Sequence, residues 1–473
     1  MYNRSRLQFF IALMLSMLLG ACIHLDGATT IEDYGEKIVD QKSSIASAGI
    51  RPGRRGKLSE KELNMARIAW RYFENNYQPK TGLVNAVNNY PSVTMWDLAS
   101  YLGGLVSVRE LKIITKKQFD ERMIALLRTL NNLELYRGEV PNKVYHSKTA
   151  KKVDYTNKPG EIGYSALDIG RFLIWMKIIK ERYPEFAGAI DKSIFRWNFC
   201  HILDENGTMF GAHGKKGKPT KYVQEGRLGY EEYAAKGFGL WGFNTERSSK
   251  PEPYDIIKLY GHQIPYDSRD PRRLRAHNYV VTESYVLDGI ELNWDLPTDE
   301  TSADNVHSVA WMVDFAQRIY EVQEARYFHS GILTARTEHQ LASSPYFVYD
   351  TIYTDGYAWN TITESGKYVP QYSAIALKGA LGLWSLWETP YTDLLFNAVS
   401  DLYDEEKGFY EGKFENGKGL INTFTSNNNG IILETLLYKE QGKLLKFNDL
   451  DSFWEKMLDN EFQGQGKCLP GKR

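Results

Sequence analysis

The stretch 222–233, YVQEGRLGYEEY, sets one carboxylate, Glu225, and one guanidinium, Arg227, among glycines just before a helix-like segment carrying Tyr230 and Glu231. Glycine lets backbone come close to a ligand, and a helix start favours negative groups, so the composition is that of an active site. Cleaving a glycosidic bond needs a proton donor on the leaving oxygen and a second carboxylate on the other side, roughly 5 to 10 Å away. Glu225 is read as the acid, because Tyr222 and Tyr230 would desolvate it, although Arg227 would act in the opposite sense. Glu231 can replace it if Tyr230 packs inward. The second carboxylate is read as Asp355 in YTDGYAW (353–359), with Asp350 as its rival. Each has a plain structural alternative: a Glu225–Arg227 pair that fixes the turn, and an Asx turn at Asp355.

The residues expected to bind a sugar chain stand at the starts of apolar segments. Asp97 and Asp168 each open one, where a carboxylate can also satisfy free backbone N–H groups. Arg171, three residues after Asp168, can pair with it and hold it ionised. Trp96, Trp241 and Trp359 are stacking candidates that could equally be core, and Arg227, Tyr230 and Asn428 complete the set.

These residues need elements to position them, and the chain supplies an alternation. Amphipathic segments such as 116–133 are interleaved with segments apolar nearly all round, such as 92–105 and 162–183. The first kind covers a surface, and the second is buried on more than one side. Five or six buried helices alternating with outer ones close naturally into two concentric rings, so the expected fold is all-α, an (α/α)6 toroid. Short β-hairpins and long loops should decorate its cavity face: 204–222 as a hairpin, 244–278 as a lid, and 279–294 and 346–362 with strand-like alternation. Asp97, Asp168, Glu225 and Glu231 all fall on segments leading into inner helices.

Composition narrows the partners. The 473 residues include 58 basic and 59 acidic side chains, a net charge of −1, which argues against nucleic acid. Aromatic residues reach 13%, with 31 Tyr, and flat faces with polar edges suit sugars. No zinc spacing, phosphate loop or dinucleotide fingerprint occurs, so neither metal nor cofactor is expected. Cys200, in the apolar run WNFCHIL, is expected to be buried and structural; whether it pairs with Cys468 is left open, and the two form no disulfide framework.

Arg4 and Arg6 precede a short apolar run from Leu7 to Leu19, the pattern of an export signal. It ends in LGAC, which resembles a bacterial lipobox; the resemblance implies cleavage before Cys22, a lipid on its thiol and, with Ile23 next, an outer-membrane anchor in the periplasm. The expected organisation is a signal peptide over 1–21, a tether over 22–57 and one domain over 58–473.

WDLASY, PNKVY, GYSALDIGR, EGRLGYEEY, TDGYAW and NNNGIILE together resemble the exported bacterial family known as domain of unknown function 3131. That family is similar to six-hairpin glycosidases, especially the glucoamylase-like enzymes acting on β-1,2-glucans. The resemblance implies a toroid with a carbohydrate cleft, often beside exopolysaccharide machinery, and carries over no catalytic residue. The reading is a membrane-anchored glycoside hydrolase or transglycosylase-like protein acting on an exopolysaccharide or β-glucan. Its competitors are a polysaccharide lyase, with His262, His277, Tyr230 and Asn428 as material, and a non-catalytic glycan-binding lipoprotein of an export system.

Overall fold

The computed structural model describes residues 53–470, apart from 216, 275, 302–305, 449–450 and 460–465. The expectations for the signal segment, for Cys22 and for most of the tether lie outside the described residues.

Helices dominate, in chain order α1 (Glu60–Asn76), α2 (Met95–Glu110), α3 (Lys116–Leu130), α4 (Ala166–Arg182), α5 (Ala187–Phe195) and α6 (Tyr230–Leu240). There follow α7 (Glu283–Leu292), α8 (Ala310–Ser330), α9 (Leu377–Leu386), α10 (Pro390–Val399), α11 (Ser426–Gln441) and α12 (Phe453–Asp459). The even-handed apolar segments became the interior. All ten residues of α7 and all ten of α9 are buried, whereas α3 buries only Phe119, Met123, Leu126, Leu127 and Leu130, one stripe at helical spacing. Each such apolar side chain contributes about 1.5–3 kcal/mol on burial.

The interior helices pack in sequence. α2 lies against α4, α4 against α6, α6 against α7, α7 against α9, α9 against α11, and α11 returns to α2. Outside them, α1 and α3 cover α2, α5 covers α4, α8 covers α7 and α10 covers α9. The close approach of α4 and α6 depends on glycine: a Cβ on Gly237 would lie 2.0 Å from the Gly170 carbonyl oxygen. The chain therefore cannot carry even alanine there without parting the two helices.

Helix content is not the whole architecture. Among the described residues are seven small antiparallel sheets, so the all-α expectation is refined. β1 (Ser92–Val93), β2 (Val144–His146) and β3 (Lys151–Val153) precede α4; β4 (Gly163–Tyr164), β5 (Phe210–His213) and β6 (Lys221–Gln224) place the loop before α6. The hairpin within 204–222 is thus present. Residues 283–292, however, are helix and not strand-like, because Val286, Leu287 and Ile290 are buried from every side and the segment completes the cycle of helices. Tertiary packing overrode a β-branched, aromatic composition there.

Candidate active site

The helix starts of the interior cycle converge, and those of α2, α4 and α11 are capped by the Thr94, Ser165 and Thr425 side chains. Thr94 Oγ1 accepts the Asp97 N–H at 3.1 Å, while Asp97 Oδ2 accepts the Thr94 hydroxyl at 2.7 Å. At α4, Ser165 Oγ accepts the Asp168 N–H at 3.2 Å and stands 3.0 Å from Asp168 Oδ1 and 3.1 Å from Glu225 Oε2. Glu225 Oε2 also accepts the Ala166 N–H at 2.6 Å and the Leu167 N–H at 3.3 Å. Glu225 therefore caps α4 from another part of the chain, with its Oε1 over Gly211, where a Cβ would come within 2.0 Å.

Asp168 gains the unusual property. Burial first, and then the Glu225 charge, push its carboxyl up to about 7. It is nonetheless half-buried by solvent exposure, so a group enclosed by protein on most sides still faces an opening. That combination describes the floor of a pit. Burial also raises Glu225, against the opposing charge of Lys143 and the two N–H groups, and raises Asp97.

A second wall is built by α7, α9 and the strand at His339–Gln340. Glu283, 1% exposed, accepts from Trp96 Nε1 at 3.0 Å and Asn427 Nδ2 at 2.9 Å, and pairs with the Lys378 ammonium. Glu338 is half-buried; it accepts the Tyr230 hydroxyl on one oxygen and the Thr337 hydroxyl at 2.8 Å on the other. Burial, and then the Glu283 charge, raise the Glu338 carboxyl, while Lys378 pulls it down. The rings of Trp96 and Tyr230 lie 5.6 Å apart and join this wall to α2 and α6.

The third wall is aromatic. Tyr279 and Tyr349 stack at 4.7 Å and 19°, with the Arg227 guanidinium 5.8 Å from the Tyr279 ring. His277 Nδ1 stands 2.7 Å from Asp355 Oδ2, and that bond above all raises the imidazole, favouring its charged form. Tyr155 is 66% exposed, yet burial raises its hydroxyl, with Asp168, Glu225 and Glu364 the next causes.

The structure brings Trp96, Asp97, Asp168, Glu225, Arg227 and Tyr230 together. It corrects the others. Arg171 does not pair with Asp168: it is fully buried, donating from Nη1 to Ser100 Oγ at 2.7 Å and to Asn427 Oδ1 at 3.0 Å, and meeting Glu434 at 3.2 Å and Glu291 at 3.5 Å. Trp241 donates to the Leu173 carbonyl and packs edge-on to Trp454, and Trp359 lies under Arg326; both are core. Asn428 is fully buried and donates to the Tyr410 carbonyl at 2.9 Å, whereas its half-buried neighbour Asn427 faces the site. Glu231 is 1% exposed beside Glu252 and Glu232, closed off from solvent, and burial holds its carboxyl well above the ordinary range. No Glu225–Arg227 pair forms; the Arg227 Nη1 donates to the Gly226 carbonyl at 2.9 Å. Asp355, with φ +53°, sits in a left-handed turn and holds His277. Asp350, its rival, is fully buried against Arg336 at 2.9 Å.

Sequence reasoning missed Glu283, Glu338, Lys378, Tyr155 and Tyr349. Lys378 had a signal, a lone charge in the apolar run 374–387. Elsewhere, Cys200 is half-buried, not fully buried as expected, and is disulfide-bonded to Cys468, which settles the pairing left open and ties the C-terminal segment to the turn after α5. No cluster of His, Cys, Asp and Glu suited to a metal ion occurs among the described residues, and no described helix is long and apolar enough to cross a membrane.

A family model described as a protein of unknown function (DUF3131) matches residues 64–442. No curated protein matches the chain. A provisionally assigned glucoamylase from Bacteroides uniformis superposes with a TM-score of 0.59 at 12% identity, over 83% of this chain and 94% of that one. An endo-β-1,2-glucanase from Chitinophaga pinensis, in complex with sophorotriose and glucose, gives 0.58 at 14%, over 82% and 94%. The endo-β-1,2-glucanase from Talaromyces funiculosus with sophorose gives 0.51 at 11%, over 82% and 85%. At such identities the likeness is one of fold.

Proposed function

The chain belongs to the family of proteins of unknown function DUF3131, and from that premise we propose that it is a glycoside hydrolase whose proton donor is Asp168. What carries the reading is a half-buried carboxyl at the converging helix starts, 3.0 Å from Ser165 Oγ beside Glu225 and pushed up to about 7 by burial and the Glu225 charge, with Trp96 and Tyr230 on the neighbouring helix starts. A general acid works best when its pKa lies near the working pH. In this reading the cycle of interior helices is the inner ring of an (α/α)6 toroid, and the convergent helix starts form its cavity end.

Asp168 gives its proton to the leaving glycosidic oxygen. Glu338, steadied by Tyr230 and Thr337 beside the Lys378 charge, stands on the second wall as the carboxylate that activates water or attacks the sugar. Glu225 acts through Asp168, as the negative neighbour that keeps its proton on, and Asp355 acts through His277; both are positioning residues. The substrate is a β-glucan or exopolysaccharide, in line with the glucan-bound relatives of this fold. The lipid anchor at Cys22, a tether to residue 57, an outer-membrane address and a place beside export machinery complete the proposal.

The test is release of new reducing ends from β-1,2-glucan and from a panel of bacterial exopolysaccharides. Wild type is expected to act on one of them, and Asp168→Asn to lose about 10²- to 10⁴-fold in kcat with its fold intact. Unsaturated products absorbing in the near ultraviolet would select the lyase instead. Binding without cleavage by wild type would select the export-system binder.

A further inference from the structure

The core of this protein treats arginine consistently. Arg171 meets Glu434 and Glu291, Arg336 meets Asp350 and Glu415, Arg326 meets Glu415, and Arg269 meets Asp267 and Glu252. Withdrawing a guanidinium from water without a counter-ion costs several kcal/mol, which explains the pairing. Pairing does not extend to every half-buried arginine, since Arg122 lies over the Trp70 and Tyr77 rings and Arg196 donates to the Leu130 and Leu133 carbonyls, but at the candidate site stands Arg227. It is half-buried, its Nε is out of solvent with no acceptor, its Nη1 reaches a carbonyl, and no carboxylate of the described residues lies within ion-pair distance.

We propose that Arg227, with the stacked Tyr279–Tyr349 pair, forms a subsite for a sugar bearing a carboxylate, so that the glycan processed here is acidic. A guanidinium presents paired N–H donors in the plane and spacing of a carboxylate, and a neutral sugar hydroxyl cannot supply the missing charge. The tyrosines beside it offer the flat faces on which a pyranose ring packs. The other charged groups nearby do not serve as its partner: Asp355 is committed to His277, and Glu338 to the Tyr230 and Thr337 hydroxyls. Arg227 already offsets part of the burial that raises the Tyr279 and Tyr349 hydroxyls, so its charge bears on the aromatic wall. His277, 6.1 Å from the Tyr349 ring and held by Asp355, borders the aromatic pair.

The inference deepens the reading of the pit as a glycan site and rests on it, so it is tested by binding to protein that carries Asp168→Asn. Calorimetry with a uronic-acid hexasaccharide is set beside the same oligosaccharide after reduction of its carboxyls to alcohols, and beside a β-1,2-glucan hexasaccharide. The acidic ligand is expected to bind at least tenfold more tightly than its reduced form. Adding Arg227→Gln should weaken the acidic ligand roughly tenfold or more while leaving neutral binding within about twofold, and Arg227→Lys should restore part of the loss. Equal binding of acidic and reduced ligands, an unaltered acidic affinity in Arg227→Gln, or binding of the neutral glucan alone would overturn the subsite while leaving the hydrolase reading in place. Failure of every ligand to bind would overturn the subsite and the glycan site together.

Discussion

Two arginines of one helix cycle, Arg171 and Arg227, show how the same side chain serves opposite ends of a structure. Arg171 is fully buried beneath the pit, held by Glu434, Glu291, Ser100 and Asn427, with Trp96 over its guanidinium at 4.8 Å. Around it, Glu291 also accepts from Trp175 Nε1 at 2.8 Å and from the Tyr233 hydroxyl, so a carboxylate that meets Arg171 is itself tied to neighbouring helices. Arg227, on the rim, keeps its charge without a carboxylate. Below, charged groups hold helices in register; above, Arg227 reaches only a backbone carbonyl and an aromatic wall.

The largest effect expected from breaking this contrast is on stability. Arg171→Ala strands Glu434 and Glu291 in the interior and should cost about 3–5 kcal/mol in denaturant unfolding, whereas Arg227→Ala should cost under about 1 kcal/mol. Similar losses at the two positions would end the distinction.

Next comes the floor of the pit. The folded-state pKa of Asp168 is raised from 3.8 to about 7, so the folded protein holds a proton that the unfolded chain releases. Its contribution to stability is full below the unfolded value and is lost as pH rises through about 7. Asp168→Asn should therefore match wild type near about pH 4 and exceed it near about pH 8 by on the order of 2 kcal/mol, a figure reduced for partial solvent access. Parallel stability curves for the two proteins across that range would remove the physical basis of the proton donor.

The smallest effect sharpens the roles of the paired carboxylates. Glu225→Gln removes a negative charge beside Asp168 while keeping an oxygen to cap α4. The alkaline limb of kcat/KM is then expected to move down by roughly one pH unit, with kcat at its optimum little changed. Collapse of kcat at every pH would instead make Glu225 itself the acid.

Much of the site could be read from the order of residues. Trp96, Asp97, Asp168 and Tyr230 begin segments whose apolar periodicity marks them as interior helices, and the start of an interior helix faces whatever the ring encloses. Glu283 was hidden because Tyr279, Val280, Val281, Tyr285, Val286 and Ile290 give its segment a strand-like composition. Glu338 lies in the short run TEHQ, which carries neither helical periodicity nor glycine turn. Arg171 was assigned to the wrong carboxylate because spacing of three along a helix shows that Asp168 and Arg171 can meet, but not that Glu434, from the far end of the chain, would arrive first.

What this chain's sequence decided by itself is much of its local grammar: which segments are helical and buried, 283–292 excepted, where Thr94, Ser165 and Thr425 cap them, and that Asp97 and Asp168 stand at those starts. Those outcomes follow from periodicity and from hydrogen bonds within a few residues. Only the packing of six helices decided that the Asp168 carboxyl is raised, that Glu338 stands beside the Tyr230 and Thr337 hydroxyls, that Trp241 is core, and that no carboxylate of the described residues reaches Arg227. Each of these depends on groups brought together from distant parts of the chain, since desolvation and charge act through space and not along the backbone.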